Sequence, residues 1–456
     1  MAGIGFSLRK HLRKETYFGF FTAYLLAGVI GSGPWVVSIC SMLLIGTLSP
    51  AFGAKGEGMS HFLATVTQLM AASLVLSGLL QLMFTRFIAD RTFEEDEEAV
   101  VPNLFGALLV TTLGSALVAT PVAAFGFAGG GYHAYRVLLV CAFVTLCNMW
   151  VVTVILSGMK GYWSIVLVFL LGYGITLGAA LALAPYGAPG YLAGFCMGHG
   201  AMLFAMLVLI TRAYPASKLI AFQFLDRKRV FPELALAGVF FNLGIWADKF
   251  VFWAYPLTSE TLVGPIRYSV IYDVPIFVAY LTVIPGMAAF LVRIETDFAE
   301  KFAIFFDAVR KGTSFQRLTV MRSDLVDAAR EGIYDVFRIQ GLAVATLLVL
   351  TPRVLRLFRI PSYYSHLFQI DVVAAGFQVV LLSMFTILFY LDYRKLVLYL
   401  CVLFFVANTG LSLLTLALGP RFYGLGFVVA GALTSLLAMG ALSRKLERLE
   451  YETFMR

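Results

Sequence analysis

Charge is scarce in this 456-residue chain: Asp, Glu, Lys and Arg make up 13% of it, against 60% hydrophobic residues and a mean hydropathy of +0.88. A soluble domain carries about 25% charged residues, so a water-soluble globular fold is excluded and a multi-pass membrane protein is implied. Chemical signatures are missing as well. No G-x-x-x-x-G-K-[ST] stretch occurs, which removes ATP binding through a P-loop, and none of the five histidines stands in an H-E-x-x-H zinc motif. No two aspartates stand two apart, so the D-x-D metal site common in nucleotide-sugar glycosyltransferases is absent. The cysteines (Cys40, Cys141, Cys147, Cys196, Cys401) show no zinc or disulfide spacing and read as small core residues. No cofactor, metal or catalytic group is therefore expected, and the chain reads as a non-enzyme. The net charge of +8 would suit nucleic acid, but it lies in the loops at one membrane face. It is a topology signal, and nucleic acid is not an expected partner.

What the chain has is apolar runs. Stretches of about 18 or more apolar residues fall near 18–46, 60–84, 102–127, 134–158, 162–184, 189–211, 234–255, 269–292, 333–351, 370–391, 396–418 and 422–442. The expected fold is all-α, with twelve transmembrane helices in two pseudo-symmetric six-helix lobes. The lobes span 1–211 and 234–442, joined by a cytoplasmic connection at 212–233 and followed by a tail at 443–456. The first run is too long for a signal-peptide core and reads as an uncleaved span. Lys and Arg concentrate in the N-terminus, the C-terminus and the loops on their side, including Arg9, Lys10, Arg13, Lys14 and Arg227–Arg229. That bias puts both termini in the cytoplasm, against the anionic leaflet of the lipid bilayer. A faint repeat supports two halves: Ala27-Gly28-Val29 with Trp35 in the first span resembles Ala237-Gly238-Val239 with Trp246 in the seventh.

The seventh span, ALAGVFFNLGIWADKFVFWAY (Ala235 to Tyr255), holds Asp248 and Lys249 inside apolar sequence. An ionisable residue in hydrocarbon costs roughly 2.5–3.5 kcal/mol on insertion scales, so such residues face protein or water and mark function. At about 100° per residue, Asn242, Trp246, Lys249 and Trp253 share one helix face, while Asp248 points away. Neighbours i and i+1 do not face each other, so Asp248 and Lys249 are expected not to pair, each needing its own partner. Asp273 in the eighth span precedes Pro275 and Pro285 and is placed to face Lys249. Gly31, Gly33 and Pro34 before Trp35 mark a break in the first span. Gln68, Gln81, Asn148, His199, Gln378 and Asn408 read as interhelical hydrogen-bonding residues. The run Glu94–Glu98 reads as a solvated face and Gly129–Gly131 as a tight turn.

The segment 293–332 is the one soluble-looking element. Phe298, Phe302, Phe305 and Val309, then Leu318, Met321, Leu325 and Ala328, recur at helical spacing around a break at Gly312-Thr313-Ser314. Two cytoplasmic amphipathic helices are predicted. Phe298, Phe302, Phe305, Leu318, Met321 and Leu325 are the candidate docking residues for a cytoplasmic partner.

The opening MAGIGFSLRK, the GSGPW stretch at Gly31 to Trp35 and the WADKFVFW of Trp246 to Trp253 resemble the Pel exopolysaccharide inner-membrane transporter family. That family is placed in the multidrug/oligosaccharidyl-lipid/polysaccharide flippase superfamily. The resemblance implies two six-helix lobes, alternating access or polymerisation-coupled extrusion, and a polysaccharide substrate carried across the bacterial inner membrane during biofilm matrix production. It also implies three protein partners: a cytoplasmic glycosyltransferase, a cyclic-di-GMP receptor membrane subunit and a tetratricopeptide-containing membrane protein. On the residues themselves, the expected pathway is lined partly by the first, seventh and eighth spans. Lys249 and Asp248 would set its electrostatics, and Trp246 and Trp35 would contact sugar. Two rivals stay open: an H⁺- or Na⁺-coupled small-molecule antiporter using Asp248 or Asp273, and a non-transporting scaffold for a polysaccharide synthase.

Overall fold

The computed structural model describes residues 17–52, 56–127, 133–159, 162–226 and 230–455. Met1–Lys10, Arg13, Lys14, Gly129–Gly131, Arg227–Arg229 and, within the first helix, Gly33, Pro34 and Trp35 lie outside the described residues. Every apolar run becomes helix. In order these are α1 (Tyr17–Leu48), α2 (Gly56–Phe93), α3 (Val100–Gly126), α4 (His133–Gly158), α5 (Tyr162–Ala182), α6 (Ala188–Ala213) and α7 (Pro232–Ala254). A short hairpin, β1 (Glu260–Val263) and β2 (Ile266–Tyr268), leads to α8 (Val270–Ala279) and α9 (Val283–Val292), which form the eighth span across a tight turn at Tyr280–Thr282. Then come α10 (Ala299–Arg310), α11 (Phe315–Leu357), α12 (Ser365–Tyr390), α13 (Arg394–Leu418), α14 (Leu425–Glu447) and the short α15 (Leu449–Met455). Beyond α1, eleven helical stretches among the described residues are long and apolar enough to cross a membrane.

The chain forms two compact units. One holds residues 34–246 and 253–269; the other holds 1–33, 247–252 and 270–456.

In the first unit, α2 crosses the N-terminal half of α7 at Gly78 and Gly238. A Cβ on Gly238 would stand 2.2 Å from the Gly78 carbonyl oxygen, so the crossing admits no side chain. This is the small-residue contact by which membrane helices approach closely without a hydrophobic force between them. The β-hairpin also belongs to this unit. Its Val263 and Ile266 are buried in the same core as α2 to α6, and Pro265 covers Gly126. Arg267 ties it down, donating to the Trp253 carbonyl (2.8 Å) and the Ser259 hydroxyl (3.0 Å), while the Gln68 amide donates to the Arg267 carbonyl. Gln68, expected to bond between helices, bonds instead to the backbone of a hairpin that hydropathy does not reveal.

In the second unit the break at Tyr280–Thr282 frees backbone groups, and Gln340 of α11 takes both sides of it. Its amide donates to the Thr282 carbonyl (3.1 Å) and its oxygen accepts from the Gly286 N–H (3.1 Å). Irregular backbone in a membrane helix is tolerated where a neighbouring helix satisfies it in this way. The segment 293–332 forms the two predicted helices with Gly312 at φ +67° in the break. The second of them does not stop at 332. It runs on as α11 for 43 residues, about 65 Å at 1.5 Å per residue, and Asp335 at the start of the ninth apolar run pairs with Arg293 at 2.7 Å.

Candidate functional site

The C-terminal turns of α7 place Asp248 and Lys249 in the second unit, where both are sealed, at 0% and 2% exposure. The Lys249 ammonium lies 3.1 Å and 3.0 Å from the two Asp248 carboxylate oxygens. The expectation that these successive residues do not pair is therefore corrected. Their Cβ directions do diverge by about 100°, but the four-carbon Lys stem folds back over one residue, and burial leaves water unable to compete.

The pair is held from three further helices. Tyr272 of α8 donates its hydroxyl to Asp248 Oδ2 at 2.6 Å, and Asn408 of α13 donates its amide to Oδ1 at 3.2 Å. Ser412, one turn on, donates to Asn408 Oδ1 at 3.1 Å and fixes that amide's orientation. Lys249 donates to the Tyr280 hydroxyl at 3.0 Å, and its Nζ stands 4.3 Å from the centroid of the Phe427 ring of α14. Aromatic packing closes the outside: Phe252 stacks on Tyr272 (centroids 4.0 Å apart) and meets Tyr423 edge-on at 4.9 Å. A buried ion pair loses several kcal/mol of hydration per ion and is tolerated only where donors fill the remaining valences. Here Asp248 has three donors, and Lys249 has a hydroxyl and a ring face.

A second carboxylate shares this interior. Asp371 of α12 is 1% exposed, and neither of its oxygens has a hydrogen-bond partner. Leu367 and Ala375, one turn before and after it, lie in one buried cluster with Tyr272 and Tyr280, the two hydroxyls bonded to Asp248 and Lys249, and the left-handed Gly424 (φ +84°) abuts it, where a Cβ would come within 3.3 Å of Oδ1.

The remaining predicted site residues are spread more widely. Asn242, 9% exposed, donates to the Leu74 carbonyl of α2 at 2.9 Å, so its amide serves the α2–α7 contact. Trp246 is half-buried and Trp253 buried, their rings 6.3 Å apart, and the Trp253 carbonyl anchors the hairpin. The face that was to combine Asn242, Trp246, Lys249 and Trp253 is thus divided, three residues in the first unit and Lys249 in the second. Asp273 is half-buried in the first turn of α8, next to Tyr272, which makes that helix's contact with Asp248. Asn148 and Asn408 make the interhelical bonds expected of them, Asn148 to Thr112 at 2.9 Å.

The docking residues mostly face inward. Phe298, Phe305 and Leu325 are fully buried and Leu318 is 6% exposed, while Phe302 and Met321 are half-buried. Phe298 and Phe302 pack on Tyr390 at 5.6 Å and 5.3 Å, and the Tyr390 hydroxyl donates to Glu295 at 3.0 Å. Helical spacing located an apolar stripe correctly, and the stripe is the inner seam of the insertion, not a surface open to a partner.

Comparison with known proteins places this architecture. A search of curated proteins matches none. Among solved structures, an outward-facing multidrug resistance MATE family transporter of the MOP superfamily is 16% identical with a TM-score of 0.65, over 93% of this chain and 96% of that one. A MATE protein in complex with MaL6 is 15% identical with a TM-score of 0.63, over 94% and 97%. A MOP superfamily transporter from Pyrococcus furiosus, described as having a binding pocket of reversed polarity that suggests a different function, is 17% identical with a TM-score of 0.63, over 93% and 96%. The fold is that of the two-lobed MOP transporters. The model of PelG, the exopolysaccharide exporter (EPS-E) family, matches residues 1–454, and with it the chain belongs to a family of membrane exporters of exopolysaccharide.

Proposed function

We propose that the chain carries the Pel polysaccharide from cytoplasm to periplasm across the bacterial inner membrane, with both termini cytoplasmic, as a step in building biofilm matrix. The observation that supports this most is the family match across residues 1–454 on a transporter fold. The buried ion cluster supports transport over a scaffold role. A helix bundle that served only to hold a synthase would gain stability by replacing a sealed ion pair with apolar side chains, whereas ionisable residues inside a membrane are expected to serve ion or substrate movement. On this reading the half-buried Trp246 contacts sugar, and Lys249 and Asp248 act from behind the pathway wall. A cytoplasmic glycosyltransferase, a cyclic-di-GMP receptor subunit and a tetratricopeptide-containing membrane protein complete the export assembly. The outward face of the α10–α11 insertion, where Phe315 is 67% and Val320 59% exposed, is the part of this chain they would meet.

A second reading, a cation-coupled small-molecule antiporter, is favoured by the multidrug transporters that share the fold. One experiment separates the two. In cells making Pel, deletion of this chain should abolish surface polysaccharide and leave resistance to toxic organic cations unchanged. Loss of resistance with polysaccharide intact would replace the exporter by the antiporter.

A further inference from the structure

Asp371 is the one side chain in the Asp248 cluster for which the bonding does not account. Asp248 holds three donors, and the Asn408 and Lys249 polar groups are engaged. Asp371, just as deeply buried, holds none. An ionised carboxylate without donors in such an interior is unfavourable by several kcal/mol, and the ordinary resolution is that it carries a proton. The charge count agrees. With Asp248 and Lys249 ionised they cancel, and the cluster is neutral only while Asp371 is a carboxylic acid.

We propose that Asp371 is a proton-binding site, and that Lys249 is its exchange partner. While Asp371 is protonated, Lys249 pairs with Asp248, as in this structure. When the proton leaves to water, the carboxylate draws the Lys249 ammonium across. Asp248 can release it, because the Tyr272 hydroxyl and the Asn408 amide remain on its two oxygens, while Asp371 has no other donor to hold it. One proton departs, no bond other than Asp371 O–H breaks, and the cluster goes from neutral to a net charge of minus one, which re-protonation restores. The groups facing Asp371 are Lys249 and Asp248 from α7 and Tyr272 and Tyr280 from the eighth span. α13 brings Asn408 and Ser412, and α14 brings Phe427, all uncharged. Gly424 presents no side chain beside Oδ1.

This deepens the transport reading by naming the ion the cycle would take up, but it is tested without polysaccharide, so its failure and that of the exporter reading are separate. The experiment is difference infrared spectroscopy on the purified full chain in lipid nanodiscs, following the stretch of protonated carboxyl groups. Glu295, buried at the other end of the unit beside Tyr390, contributes its own band, so the readout is the part that Asp371→Asn removes. At neutral pH the wild type should show that band, Asp371→Asn should lose it, and sodium at constant pH should leave it unchanged. Asp371→Glu, which keeps the acid and moves it by one methylene, should retain the band at a shifted frequency. The sharpest arm is Asp248→Asn. With its partner neutralised, Lys249 passes to Asp371, so the Asp371 band should vanish although Asp371 is intact. A wild-type spectrum that Asp371→Asn does not change, or a band that persists in Asp248→Asn, overturns the proposal. A band removed by sodium overturns it in favour of a metal-cation site.

Discussion

The two units bury polar groups in opposite ways. In residues 34–246 and 253–269 the sealed polar side chains of the spans are neutral and mostly satisfied close to home, apart from Arg91 at the end of α2, which pairs with the exposed Glu94 and with Asp96 a few residues on. The His199 ring bonds the Phe195 carbonyl one turn back, Asn148 reaches Thr112 and its own helix, and the Trp150 indole donates to Ser73 at 3.0 Å. In the other unit the sealed groups include an ion pair in mid-span, and four elements must converge to hold it: α7, α8 with its following turn, α13 and α14. Neutral groups need only one acceptor each, which a helix supplies from its own backbone. Ions need a surrounding shell, and a shell built from several helices changes when any of them moves. This is the physical ground for placing the ion-dependent part of the function in the second unit.

Substitutions should separate those roles. The largest effect is expected for Lys249→Ala, which strands the Asp248 carboxylate. Breaking a buried pair from one side costs about 3–5 kcal/mol, so thermal unfolding in detergent should show a clear loss of stability along with loss of export. In the neutral unit, shape should matter more than charge. Gly238→Val forces a branched side chain into the α2 backbone, and overpacking of this kind costs about 1–3 kcal/mol, read in the same unfolding assay. Asn148→Ala removes one interhelical bond, worth about 0.6 kcal/mol on average between membrane helices, and export should stay at the wild-type level. If Asn148→Ala instead abolished export with the fold intact, the division of labour would fail. Smallest of all, Phe315→Ser on the exposed tip of the insertion should change stability by no more than about 0.5 kcal/mol, whereas its inward neighbour Phe298 is fully buried against Tyr390.

Hydropathy was enough to place all twelve spans, because each hydrocarbon crossing needs a run that few other structures need. It placed the ninth despite Asp335 and Arg338 in its first turn, and the structure shows Arg293 pairing with Asp335 there. The hairpin at 260–268 was hidden because its partners, Gln68 and Gly126, lie far away in sequence. The Val-Gly-Pro-Ile turn at 263–266 was its local trace. At the site, the sequence marked Asp248 and Lys249 correctly as the exceptional residues and mistook their relation, because Cβ directions describe short side chains better than lysine. Asp371 escaped notice for a different reason. It stands at the start of the tenth apolar run, where an acid at a membrane interface needs no explanation, and only the packing of α7, α8 and α14 around it makes it a buried one. Tyr272 and Tyr280 were invisible as ligands among 21 tyrosines.

The central claim is that the buried charges of the second unit serve transport and not merely stability. The direct measurement is export by the double variant Asp248→Asn with Lys249→Met, which removes both charges at nearly constant volume and leaves no ion stranded. The account predicts a protein that inserts and unfolds at about the wild-type temperature and places no polysaccharide outside the cell. Wild-type export from that variant would contradict it and return the cluster to the role of structural filling.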